Sequence, residues 1–92
     1  MTYTLVWTSA FTRAARKFLR RHPELKWRFD DTLLALERDP QQPHLRLHAL
    51  SGELGGLHAV RLTYAYRIVL ILRVTEHEVV LYDIGGHDEA YR

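Results

Sequence analysis

An α+β domain of order β-α-α-β-β-β is predicted, with a small antiparallel-rich sheet and an N-terminal helical hairpin packed on one face. Three features of the 92-residue chain predict it. Its last third holds three short runs rich in Val, Ile and Tyr (57–62, 66–74 and 79–84), each alternating and separated by polar breaks, the signature of neighbouring antiparallel strands. Its first half holds two stretches with apolar residues at helical spacing, ended by Pro23 and Pro40, as helices end where proline forces its predecessor out of the α region. Before them, 2–7 alternates with Tyr3, Leu5 and Trp7 on one side, a first strand.

Taken in order, Thr8 or Ser9 follows the first strand as a candidate N-cap, since a hydroxyl there accepts from an orphan amide. Phe11, Ala14, Ala15, Phe18 and Leu19 then form one face of a helix, and Arg13, Arg16, Lys17, Arg20 and Arg21 fill the other. His22-Pro23 stops it, and Pro23 suits the first turn of the next helix. That helix, 24–39, carries Leu25, Phe29, Leu33 and Leu36 on one stripe. Trp7, Trp27 and Phe29 are read as core. Residues 41–56, with Pro43, Ser51-Gly52 and Gly55-Gly56, read as a loop. Leu45, Leu47 and Leu50 pin that loop to the core, while His44, Arg46 and His48 between them point outwards.

The totals set bounds. One domain spanning 1–92 is expected, and a chain of this size buries roughly 60% of its unfolded surface, enough for one core. It contains no cysteine, so disulfides and thiolate metal sites are excluded. No apolar run reaches the roughly 18 residues of a membrane span, and Met1-Thr2-Tyr3 does not open a signal peptide. A cytoplasmic location is expected, with no membrane partner and no small-molecule cofactor. The net charge is only +2, yet residues 1–23 carry five basic side chains and no acid. A charge run alone is a solvated helix face; clustered like this, it is also a footprint for a polyanion or an acidic protein.

The strand at 66–74 carries the functional signal. Tyr66, Ile68, Leu70, Leu72 and Val74 all want one face, the core. Successive side chains alternate between faces, so Arg67, Val69, Ile71 and Arg73 occupy the other, apolar in the middle and cationic at both ends. Arg61, His87 and Tyr91 join that open face, with His48 and His58 as outliers. Arginine, histidine and tyrosine without a carboxylate cluster or cysteine suit the gripping or cleaving of a phosphodiester. Arginine holds phosphate bidentately and steadies transition-state charge. Histidine moves protons near neutral pH, and tyrosine offers a stacking ring. Several histidines compete for the role of base. Arg67 has a plainer reading, pairing with Asp83 on the next strand. His44-x-x-x-His48 has a metal-like spacing, but the prolines oppose a helix and a third ligand is lacking, so no metal is expected.

These parts together resemble the RelE/ParE superfamily of bacterial type II toxins. The resemblance rests on the N-terminal strand, the basic helical hairpin, the loop Leu50-Ser51-Gly52-Glu53-Leu54-Gly55-Gly56, the Tyr66-Arg67-Ile68-Val69-Leu70 strand and the ending Ile84-Gly85-Gly86-His87-Asp88-Glu89-Ala90-Tyr91. It implies a RelE-like fold and a toxin neutralised by a cognate antitoxin protein. It also implies a metal-independent endoribonuclease that cuts messenger RNA on the ribosome and so inhibits translation. Arg67 falls where such members place a phosphate-binding arginine, and His87 where they place a catalytic histidine or arginine. Tyr91 falls where they place a base-orienting aromatic, and His48 where histidine-type members carry a candidate base. Arg61 matches a basic position on the preceding strand; Arg73 and His58 are further candidates for RNA binding. The chain departs from RelE in lacking second-strand lysines, its only two being Lys17 and Lys26, and Ala65 stands where some histidine-type members have an acid. The alternatives are a ParE-like poison of DNA gyrase without nuclease activity, and a degenerate relative that only binds RNA or antitoxin.

Overall fold

The computed structural model describes residues 2–50 and 56–86. The expected helices and strands form in order: β1 (Thr4–Trp7), α1 (Ser9–Arg21), α2 (Lys26–Arg38), then β3 (His58–Arg61), β4 (Tyr66–Arg73) and β5 (Glu78–Gly86). Two 3₁₀ turns, Pro23–Leu25 and Pro43–Leu45, start at prolines. A two-residue strand, β2 (His48–Ala49), lies inside the segment read as loop. The helices pack on a five-stranded mixed sheet of order β1-β5-β4-β3-β2.

Thr8 starts α1 and ties it to the sheet. Its Oγ1 accepts from the Phe11 amide at 3.0 Å and donates to the Leu81 carbonyl of β5 at 2.8 Å. From that anchor Phe11, Ala15 and Phe18 of α1 turn inward, joined by Phe29, Leu33 and Leu36 of α2 and Leu45 of the second 3₁₀ turn. They close on Val60, Leu62, Ile68, Leu70, Val79, Leu81 and Ile84 of the sheet. This is one hydrophobic core on one sheet face, with the aromatic rings of Phe11 and Phe29 stacked at 6.2 Å.

The sheet register decides what stands opposite what. β3 and β4 are antiparallel, with Ala59 opposite Val69 and Arg61 opposite Arg67. β4 and β5 are antiparallel with a bulge: Val69 opposes Asp83 but Leu70 opposes Leu81, leaving Tyr82 as the extra residue. A bulge of this kind resets side-chain parity. Val79 and Leu81 therefore reach the core at odd positions and Ile84 at an even one.

β1 pairs in parallel with β5 at the sheet edge, Thr4 beside Glu78 and Trp7 beside Leu81, and the other three pairings are antiparallel, so the sheet is antiparallel-rich as expected. Three expectations are corrected. Trp7 touches Phe11 and Phe29 at its inner edge but is 48% exposed. Trp27 is 64% exposed, since it lies off the Leu25–Phe29–Leu33–Leu36 stripe of α2. Val74 follows the end of β4 and is exposed as well.

Candidate functional site

β3 and β4 build the site at the end of the sheet where they are joined. The turn between them, 62–65, is held by the amides of Leu62 and Thr63 donating to the Tyr66 carbonyl at 3.0 and 3.1 Å. Thr63 Oγ1 accepts from the amides of Ala65 and Tyr66, both at 3.2 Å. This lock holds Tyr64 at the tip, 92% exposed, with the Arg61 guanidinium 5.7 Å from its ring centre.

Arg61 and Arg67 are direct partners across the β3–β4 ladder, and cross-strand partners share a face. Their face is the one opposite the helices, because their neighbours Val60 and Ile68 point into the core. Like charges set directly opposite each other are locally unfavourable. An anion seated between two guanidiniums reverses that sign, and phosphate matches their fork geometry. Gly85 of β5, not Asp83, stands opposite Arg67 on its other side. Asp83 instead opposes Val69 and accepts from the Ile84 amide at 2.9 Å. Burial raises its pKa above the ordinary carboxylate value, partly offset by that amide.

His48 is brought to the same place by β2, where it stands opposite Ala59, two residues from Arg61 along β3. Its Nδ1 lies 2.9 Å from the Arg46 carbonyl oxygen. A carbonyl only accepts, so this bond is made by a protonated Nδ1, which leaves Nε2 as the basic nitrogen of the neutral ring. Arg46 presents that carbonyl from a left-handed backbone conformation, φ 51°, at the end of the second 3₁₀ turn. Arg46, His48, Arg61, Tyr64, Tyr66 and Arg67 thus line one cleft of about 340 Å³. The Tyr66 ring turns to the helix side, against Phe18 and His22, whose ring centres lie 5.0 and 4.8 Å away.

The remaining sequence candidates are placed as follows. Arg73 stands at the opposite end of β4, bonded to Glu76 at 3.0 Å and near Glu78 at 3.7 Å. It is a hairpin clamp remote from the cleft. His58 opposes Leu70 and so faces the helix side, where its buried Nδ1 has no hydrogen-bond partner among the described residues. His87 and Tyr91 lie outside the described residues, as does part of the glycine-bearing loop. His44 lies in a neighbouring groove with Trp27. Among the described residues no three histidine, aspartate or glutamate side chains gather as a metal site. No described helix is long and apolar enough to cross a membrane.

Arg46, Tyr64 and Tyr66 were not singled out as site residues by their sequence. The alternation His44, Arg46, His48 hinted at the first; nothing local marks the other two, whose role depends on the turn that gathers them.

The layered helices and strand order define a fold shared with several solved toxin structures. Its solved relatives include a YoeB/ParE toxin from Agrobacterium tumefaciens, 19% identical, with a TM-score of 0.74 over 91% of this chain and 98% of that one. The toxin–antitoxin complex RelBE2 from Mycobacterium tuberculosis contains a chain 20% identical, with a TM-score of 0.76 over 95% of this chain and 100% of its own length. YafQ from E. coli is 14% identical, with a TM-score of 0.73 over 98% of this chain and 99% of that one. No protein-family model and no curated protein matches the sequence.

Proposed function

We propose that this chain is the toxin of a type II toxin–antitoxin pair and an endoribonuclease that cuts messenger RNA on the ribosome. The observation that carries the reading is the Arg61–Arg67 pair, set face to face beside His48 in one cleft of a toxin fold. The two guanidiniums grip the non-bridging oxygens of one phosphate and stabilise the charge that grows there as its phosphorus becomes five-coordinate. The attacking group is the RNA's own 2′-hydroxyl. His48 Nε2, held outward by the Arg46 carbonyl, takes its proton as the new O2′–P bond forms. The P–O5′ bond breaks, and the departing 5′-oxygen takes a proton, a role we assign to His87 on the strength of the resemblance. The products are a 2′,3′-cyclic phosphate and a 5′-hydroxyl end. Tyr91, assigned on the same ground, orients a base. The reaction as written needs no metal or cofactor.

The partner that restrains such an activity is an antitoxin with an acidic surface. Arg13, Arg16, Lys17, Arg20 and Arg21 are all exposed along α1, which offers it complementary charge.

The test is inducible expression followed by primer extension on translated messages. Growth arrest with new 5′ ends inside translated codons is expected, and Arg67→Ala or the His87→Ala/Tyr91→Phe double variant relieves both. Arrest with intact messages, accompanied by DNA breaks and an SOS response, would overturn the nuclease reading in favour of gyrase poisoning.

A further inference from the structure

Arg61 also lines a second groove, of about 280 Å³, with Trp27, Arg28, Asp31, His44 and Leu62. Two observations distinguish this groove from ordinary helix surface. Trp27 is the more exposed of the chain's two tryptophans, at 64%. Its ring is backed by the Arg28 guanidinium, 4.8 Å from the ring centre. Arg28 is itself fixed, donating from an Nη to the Leu62 carbonyl at 3.2 Å, at the end of β3 beside Arg61. A long side chain that would otherwise sweep solvent is thereby immobilised against the indole, and the indole is pre-set next to the phosphate-binding strand.

We propose that Trp27 is a stacking platform for an unpaired base of the bound RNA, on a nucleotide flanking the one cut between Arg61 and Arg67. This rests on the nuclease reading above and extends it along the strand. Unpaired bases stack on aromatic rings whatever their identity, because each has a π face, while cationic side chains follow the backbone. The groove has that composition: an open indole for the base, Arg28 and Arg61 for the adjoining phosphate, and Arg61 in common with the cleft. Asp31 is its one acid; it excludes a phosphate from its own side and directs the backbone along the arginines. An acidic protein segment would also meet Arg28 and Arg61, but it gives no reason for the groove to share Arg61 with the cleft.

The experiment is cleavage of synthetic messages by full-length protein on programmed ribosomes, with single abasic nucleotides placed in turn on either side of the cut. Trp27→Ala should lower kcat/KM on the unmodified message by about 5- to 100-fold, and Trp27→Phe should recover most of the loss. One abasic position should slow the wild type by a similar factor yet cost Trp27→Ala almost nothing further, since platform and base are then removed together. Trp27 is exposed, so both variants should keep the wild-type melting temperature. Three results would overturn the platform while leaving the nuclease reading intact: full activity in Trp27→Ala, equal abasic penalties in both proteins, or a Trp27→Ala protein that cuts normally but escapes its antitoxin. A wild type that cuts no message overturns both.

Discussion

Arg61 and Arg67 oppose each other across two antiparallel strands, with the Arg61 guanidinium also leaning over the Tyr64 ring. Two like charges in this relationship gain nothing from each other, whereas a phosphate seated between them would join both. Arg73, on the same strand, stands at its far end with Glu76 and Glu78.

Arg67→Ala is therefore expected to lower message cleavage by about 10²- to 10³-fold, the usual cost of deleting a donor to transition-state charge. Arg67→Lys should recover only part, because an ammonium lacks the bidentate fork. Arg73→Ala should stay within about twofold, the size of a rim-charge effect. The measurement is primer-extension yield against time, with melting temperatures as the folding control. Equal losses at Arg67 and Arg73 would mean that bulk charge, not the cleft, is being read.

His48→Asn separates holding from proton transfer. Asparagine keeps an N–H to donate to the Arg46 carbonyl but has no basic nitrogen. A fall in the single-turnover cleavage rate of about 10²- to 10⁴-fold is expected, with partial recovery on adding imidazole to His48→Ala. Near-normal cleavage by His48→Asn would transfer the role of base to another histidine.

Asp83 gives a pH signature. Burial raises its folded-state pKa above the unfolded value, so the native state binds the proton more readily. The sign follows from linkage: stability is lost as pH rises through the shifted pKa, and the penalty is absent below the ordinary carboxylate range. Lys17, Arg21 and His22 of the α1 end line a groove with Asp83, but burial and the Ile84 amide are what shift it. Asp83→Asn keeps an acceptor for the Ile84 amide and removes the charge. Its melting temperature should equal or exceed wild type at neutral pH, with any gain fading near pH 4. A variant less stable at neutral pH than in acid, relative to wild type, would show the carboxylate to be favourably paired.

Thr8 is expected to matter more than its size suggests. Thr8→Ala removes the cap on α1 and the hydroxyl bond to Leu81 together, at a cost of about 1–2 kcal/mol. Urea denaturation should show a lower midpoint with an unchanged m-value. Thr8→Ser should hold most of the stability, since it keeps the oxygen that makes both bonds.

Local patterning determined a good deal. The period of 3.6 in α1 and α2 and the period of 2 in β3, β4 and β5 are properties of a few neighbouring residues, and Pro23 and Pro40 end helices wherever they occur. The same alternation put Arg61, Arg67 and Arg73 on the face away from Ile68 and Leu70, as the register has them. What the one-dimensional pattern lacks is the partner of each strand. The parallel seat of β1 beside β5, the brief β2 that carries His48 to Ala59, and the bulge at Tyr82 all depend on residues far apart in the chain. Sequence alternation put three arginines on one face, whereas pairing set Arg67 against Arg61 and left Arg73 beside Glu76. It likewise left Trp27 to be read as core, because an aromatic ring's hydrophobicity is local but its exposure is not. Only the packed sheet, closing on one stripe of α2, decided which rings it would cover and which it would leave facing water.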